Sequence, residues 1–123
     1  MREILFRGKR ESGGWYYGDL IHGQIFNSIY SRKDKARFPV RVETIGQYTG
    51  LTDKNGTMIF EGDIMETAVS GITHHAGVVE FADGSFGLRC TGRESFFLCF
   101  VAESYTIIGN IHDNPELLQE ETP

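Results

Sequence analysis

Short β-prone runs punctuated by glycine-containing dipeptides, with no long stretch of helical periodicity, restrict this chain to small sheets. Asn55-Gly56 and Asp83-Gly84 each lie between β-prone runs, and both residues of such a pair tolerate the positive φ that a two-residue hairpin turn demands. Gly13-Gly14 marks a third turn. Fifteen glycines and 12% aromatic residues fit many short strands joined by tight turns. The 123 residues suffice for one domain or two very small lobes, with enough buried surface to fold without disulfides or metal.

The runs place the elements. Residues 4–7 read as a first strand stopped at Gly8, and residues 15–21, Trp15-Tyr16-Tyr17 onward, as its hairpin partner. Residues 28–38 carry Arg32, Lys33, Asp34, Lys35 and Arg37 with few apolar anchors, which predicts an exposed basic loop and the most mobile stretch. Residues 40–45 alternate with period two, a half-buried strand. After the Asn55-Gly56 turn come short strands at 58–60, 64–67, 77–81 and 86–90, with a polar loop around Ser70 and Gly71. Residues 96–101 are continuously apolar and read as a buried strand, a short helix being the alternative. A last strand covers 105–111. Asn114 as N-cap and Pro115 at the first helical position then start a helical turn before an acidic tail. Five strands from Glu61 onward suggest a small closed barrel, which removes exposed sheet edges in few residues. The expected division is 1–59, a β extension with the basic loop, and 60–123, the barrel with its C-terminal turn.

Charge separates along the chain. Residues 1–55 hold ten Lys/Arg against six Asp/Glu, and residues 56–123 hold two against eleven, which gives +4 and −9 within the net −5. Opposite charge on two halves suits docking between halves or self-association, and the overall acidity disfavours a phosphate-binding protein. The apolar runs are far shorter than a membrane span, and the N-terminus has no secretory h-region, so a cytoplasmic location without membrane contact is expected. Cys90 and Cys99 accordingly read as free, small buried hydrophobes.

No motif carries catalysis. His74-His75, with His22, His112, Cys90 or Cys99, offer metal-binding atoms, but neighbouring histidines on a strand face opposite ways and no Cys-x-x-Cys or His-x-x-x-His occurs. Asp19, Asp63, Asp83 and Asp113 all flank glycine or asparagine, where an aspartate serves the turn. A Gly-x-Ser-x-Gly elbow, a Walker A loop and Gly-x-Gly-x-x-Gly are all missing from the sequence. The expectation is a protein with no enzymatic activity, cofactor or metal.

Several blocks also resemble one family. Phe6-Arg7-Gly8-Lys9, Gly14-Trp15-Tyr16-Tyr17-Gly18-Asp19-Leu20, the long block from Thr44-Ile45-Gly46-Gln47-Tyr48 to Asp53-Lys54-Asn55-Gly56, Ile59-Phe60-Glu61-Gly62-Asp63-Ile64, and Ile108-Gly109-Asn110-Ile111 with Asn114-Pro115-Glu116-Leu117-Leu118 resemble the YopX family in content and order. That resemblance implies a phage or prophage protein with an SH3-like β-barrel and an N-terminal β extension. It carries over no catalytic or binding residue.

The combined expectation is an all-β protein: a small SH3-like β-barrel, an N-terminal β-hairpin extension and a short C-terminal helical turn. Its function is read as protein–protein interaction, self-associating into a homo-oligomer or docking on a phage or host protein. Trp15, Tyr48 and Phe60 are the candidate anchors, since large aromatics suit interface centres. The alternative is accessory nucleic-acid binding through the basic half, with Arg32, Lys33, Lys35 and Arg37 against phosphate and Trp15, Tyr16, Tyr17 and Tyr30 against bases.

Overall fold

The computed structural model describes residues 3–67, 75–90 and 95–118, which form two antiparallel sheets. Two units divide the chain, Met1–Gly50 and Leu51–Pro123.

In the first unit, β1 (Phe6–Lys9), β2 (Trp15–Ile21), β3 (Asn27–Ser31) and β4 (Ala36–Val40) form a meander, and β5 (Gly46–Thr52) joins the other side of β1. The first hairpin follows its sequence signals, with Phe6 opposite Gly18 and Lys9 opposite Trp15, although the strand continues through Gly8. A side chain at Gly8 would bring a Cβ within 2.8 Å of Val40, so glycine is what admits the end of β4 here. Beyond β4, the Arg41 N–H donates to the Lys9 carbonyl, and the Lys9 N–H donates to Thr44 Oγ1.

Two expectations are corrected in this unit. Residues 28–38 are a hairpin, β3–β4, because Ile29 and Val40 anchor it in the interior and Ser28 and Ser31 are buried with them. The exposed charge is confined to the turn, where Ser31 and Asp34 bond to each other and Lys35 takes a positive φ, and to Arg37, which faces outward from β4. Residues 40–45 are not a strand. Val42–Thr44 form a 3-10 turn, because the Thr44 hydroxyl bonds back to the Arg41 carbonyl and folds the chain over β1.

The second unit follows from β6 (Met58–Phe60). β7 (Asp63–Thr67), β8 (His75–Ala82), β9 (Ser85–Cys90) and β10 (Ser95–Phe97) form a meander, and β11 (Thr106–Asn110) lies beside β7, which gives the order β10-β9-β8-β7-β11. Asp83 and Gly84 turn β8 into β9 with φ of 53° and 83°, the mirror-image turn their sequence announces. Gly84→Ala should therefore cost about 1–2 kcal/mol in backbone strain alone, read as a lower denaturation midpoint, because nothing else crowds that position. Ile59, Met65, Val79, Leu88, Leu98, Ala102 and Tyr105 form the core.

The expected closed barrel and the expected strand at 96–101 are both corrected. Among the described residues the sheet is open, with β10 and β11 each paired on one side. The apolar run leaves the sheet after two residues, Phe96 and Phe97, and continues as a helical turn, α1 (Leu98–Val101), then a 3-10 turn, Ala102–Ser104. Leu98 and Ala102, four residues apart, are buried, which puts Phe97 and Phe100 on the outside. At the C-terminus, Pro115–Leu118 form a 3-10 turn. Asn114 turns its side chain backward, to accept from the Asn110 N–H, instead of capping forward.

Candidate functional site

Four phenylalanines of the second unit, on β8, β10 and α1, are exposed. Phe81 is 55% exposed, Phe96 36%, Phe97 59% and Phe100 79%. The Phe97 and Phe100 rings meet edge to face at 5.9 Å, and Phe81 meets the part-buried Phe86 in the same way at 5.1 Å. Register divides these rings between the two faces of the sheet: Phe81 and Phe96 lie at the margin of the core face and Phe97 on the outer face. Phe96 lies opposite Leu88 and shares its inward face, whereas Phe97 lies opposite Gly87, and Gly87 lies opposite Glu80. On that outer face Gly87, Ser85 and Ala82 are small. A shallow groove of about 330 Å³ opens over them, with Phe97 on one side and the Glu80–Arg89 ion pair, at 3.0 Å, on the other.

Elsewhere Asp53, Asp63 and Asn110 bond backbone N–H groups, whereas Asp19, expected to serve its turn, is instead held by the Arg32 side chain. Asp53 is 5% exposed and accepts from the N–H groups of Asn55, Thr57 and Ile107 at 2.9, 2.9 and 3.0 Å. Burial pushes its carboxyl up, but the three N–H bonds outweigh this and hold its pKa below the ordinary value. Asp63, also buried, accepts from the Phe60 N–H at 2.8 Å across the turn at Gly62, whose φ is 90°. Asn110 Oδ1 accepts from the His112 and Asp113 N–H groups, and Asn110 Nδ2 donates to Asp113. Asp19 receives two bonds from Arg32, at 2.6 and 3.2 Å, and hydrogen bonding to that guanidinium lowers its pKa.

The expected anchors fare differently. Trp15 is half-buried beneath the Arg7 guanidinium, which lies 4.8 Å from its ring centroid, and Tyr48 is half-buried on β5. Phe60 is 3% exposed, so it is withdrawn as a surface anchor: its side chain is interior. Of the basic set, Arg32 is tied to Asp19 and Glu3, and Arg37 donates to Ser28. Lys33 and Lys35 stand exposed in the β3–β4 turn. Arg41 pairs with Glu43 at 2.7 Å, and Arg10 lies over the stacked Tyr16 and Phe38 rings.

Among the described residues no three His, Cys, Asp or Glu side chains gather as a metal set. His74 and the side chain of His75 lie outside the described residues, as does the loop expected around Ser70 and Gly71. His22 is exposed and His112 half-buried. Cys90 is buried as expected, but Cys99 is exposed, because α1 turns it away from Leu98.

The exposure of Phe97 and Phe100 is hidden in a continuous apolar run, which signals burial without saying which residues take it. The spacing of Leu98 and Ala102, with Phe97 and Phe100 out of phase, is the signal that would have found it.

No helix among the described residues is long and apolar enough to cross a membrane. No curated protein matches the chain. A crystal structure of protein EF1440 from Enterococcus faecalis is similar in fold, with a TM-score of 0.60 and 24% identity over 97% of this chain and 100% of that one. The profile of the family described as YopX protein matches residues 5–119. That match spans the motif blocks from Phe6 to Leu118, and with nearly the whole chain covered, this protein belongs to the YopX family.

Proposed function

We propose that this protein is a non-enzymatic protein–protein interaction module that self-associates. The observation that carries the reading is the exposed, mutually contacting pair Phe97 and Phe100 at the sheet edge, since large aromatics on a rigid scaffold are the usual anchors of an interface. The commitment of Asp19, Asp53, Asp63 and Asp113 to local hydrogen bonds supports the non-enzymatic part. The exposed, unpaired Cys99 suits a reducing compartment, and with the phage or prophage origin implied by the family resemblance we place the protein in the cytoplasm of a host cell. We read the second unit as SH3-like in topology. Its support is a four-strand meander, a 3-10 turn, and a last strand that returns beside the first.

Two differently tagged copies, co-expressed and captured through one tag, test this reading. Recovery of the second copy that survives nuclease treatment supports self-association, and recovery that vanishes with nuclease favours nucleic-acid binding. Lys33 and Lys35 favour that alternative most directly. Were phosphate contacts made there, affinity would fall linearly in log salt, and reversing Lys33, Lys35 and Arg37 to glutamate would abolish binding. The expected result is no such salt-dependent binding in either protein, measured by fluorescence anisotropy with single- and double-stranded oligonucleotides.

A further inference from the structure

We infer that Asn55 is a site of spontaneous covalent modification, at which the Gly56 nitrogen displaces ammonia from the side-chain amide, and that Asp53 restrains the reaction by holding the turn closed. Such a displacement needs an asparagine followed by an unhindered N–H. Of the four asparagines, Asn114 precedes Pro115, which has no N–H, Asn110 precedes the β-branched Ile111, and Asn27 precedes the fully buried Ser28. Asn55 alone precedes glycine, and both residues are exposed. A Cβ built at Gly56 meets nothing within 4 Å, so neighbouring groups leave its nitrogen open to approach. Among the described residues no hydrogen bond holds the Asn55 side-chain amide, which can swing toward that nitrogen.

The restraint is built from backbone bonds. The Gly56 N–H donates to the Asp53 carbonyl at 2.9 Å, and the Asn55 and Thr57 N–H groups on either side donate to Asp53 Oδ1, each at 2.9 Å. A nitrogen whose proton is engaged by a carbonyl is a poor nucleophile, so reaction waits on opening of the turn. Opening lets the Gly56 nitrogen come within the ~3–3.5 Å of Asn55 Cγ that bond formation requires. There the N–Cγ bond forms, the Cγ–Nδ2 bond breaks, and ammonia leaves with the proton from Gly56, closing a succinimide ring. Water then reopens the ring. Attack at Cγ gives aspartate, and attack at the main-chain carbonyl gives isoaspartate, with the backbone rerouted through the side chain. Either product adds a carboxylate beside that of Asp53, and isoaspartate also lengthens the turn that the Asp53 bonds span. Asp53 accepts from the Ile107 N–H at 3.0 Å as well, so a change at this exposed turn is transmitted to β11.

Peptide mapping by mass spectrometry tests the inference on the full chain incubated in mild alkali, reading replacement of amide by acid at each asparagine over time. The parent is compared with Asp53→Ala, and with parent held in enough urea to match the stability of that variant. The expected result is product at Asn55 and at no other asparagine. Its rate should rise about 5- to 30-fold in Asp53→Ala, the effect of weakening a turn by two backbone bonds, and rise less in the urea-matched parent. Asp53→Asn, which keeps an acceptor oxygen, carries the same comparison at smaller amplitude should Asp53→Ala not fold. Equal rates in the parent and the Asp53 variants would overturn the restraint. An acceleration fully matched by the parent in urea would assign it to global unfolding and overturn the local guard. An Asn55 that stays intact even in the urea-unfolded parent would overturn the site itself.

Discussion

Replacing Gly18 with alanine is expected to unfold the first unit, although the substitution adds one methyl group. A Cβ built at Gly18 lies 1.9 Å from the carbonyl oxygen of Tyr30 and 3.3 Å from the Ser31 Cα, both on β3. These are backbone atoms, so no rotamer change relieves the overlap. β2 and β3 would have to separate along the register that pairs Asp19 with Tyr30 and Leu20 with Ile29. Ile29 is fully exposed to the consequence because it is fully buried, and Ser28 and Ser31 would lose their interior places with it. Overpacking typically costs 1–3 kcal/mol where side chains can yield, and a rigid backbone contact puts this one at or above about 3 kcal/mol. Trp15, the single tryptophan, lies on the neighbouring segment of β2 and reports on this unit alone. Its emission should move to that of a water-exposed indole in Gly18→Ala, and native emission with an unchanged denaturation midpoint would show that the strands yield.

How much of this molecule could be read from its residues depends on whether the signal was local. The turn at Asp83-Gly84, the strand from Trp15 and the helical turn after Asn114 rest on backbone preferences of a few adjacent residues and are legible. At Asn55-Gly56, by contrast, only the glycine takes a positive φ, and the turn, closed from Asp53 to Thr57, is longer than the two-residue hairpin the dipeptide suggests. The β3–β4 hairpin was not legible, because its buried positions include Ser28 and Ser31, and polar residues satisfied by a partner strand resemble loop in sequence. The course of 96–101 was hidden for the opposite reason, since an apolar run says that burial is available, not which residues take it. The candidate surface fell in that run. Phe60 was nominated because it is large and aromatic, and those properties serve a core equally well.

The family blocks acquire a physical meaning from these positions. Asp53, Gly62 with Asp63, and Asn110 with Asn114 are each a polar side chain or a glycine that fixes a turn at the margin of the second unit. Gly8 and Gly18 are places where two strands approach too closely for a side chain. What resembles the family is thus largely its scaffold chemistry. The exposed phenylalanines at 81, 96, 97 and 100 lie outside the quoted blocks.

Asp53→Ala should be the most costly polar substitution in the second unit, by about 3 kcal/mol. It would leave three backbone N–H groups without their acceptor, at ~1 kcal/mol or more apiece. One of them, Ile107, lies 54 residues away on β11, so the loss also releases a strand whose other tether is β7. Hydrogen exchange at Ile107 should accelerate before exchange in β8 and β9. Asp53→Asn separates the charge from the shape, because an amide keeps one acceptor oxygen. The carboxyl has a lower pKa folded than its ordinary 3.8, so between those two values the unfolded chain binds the proton and the folded one does not. Stability from the ionised form is therefore complete above about pH 5 and is lost as pH falls through the folded value. The stability gap between parent and Asp53→Asn, measured by urea denaturation, should be flat from pH 8 to 5 and close below about pH 4. A gap that stays constant down to pH 2.5 would mean that the three N–H groups do not distinguish carboxylate from carboxylic acid, and that Asp53 holds the turn by shape alone.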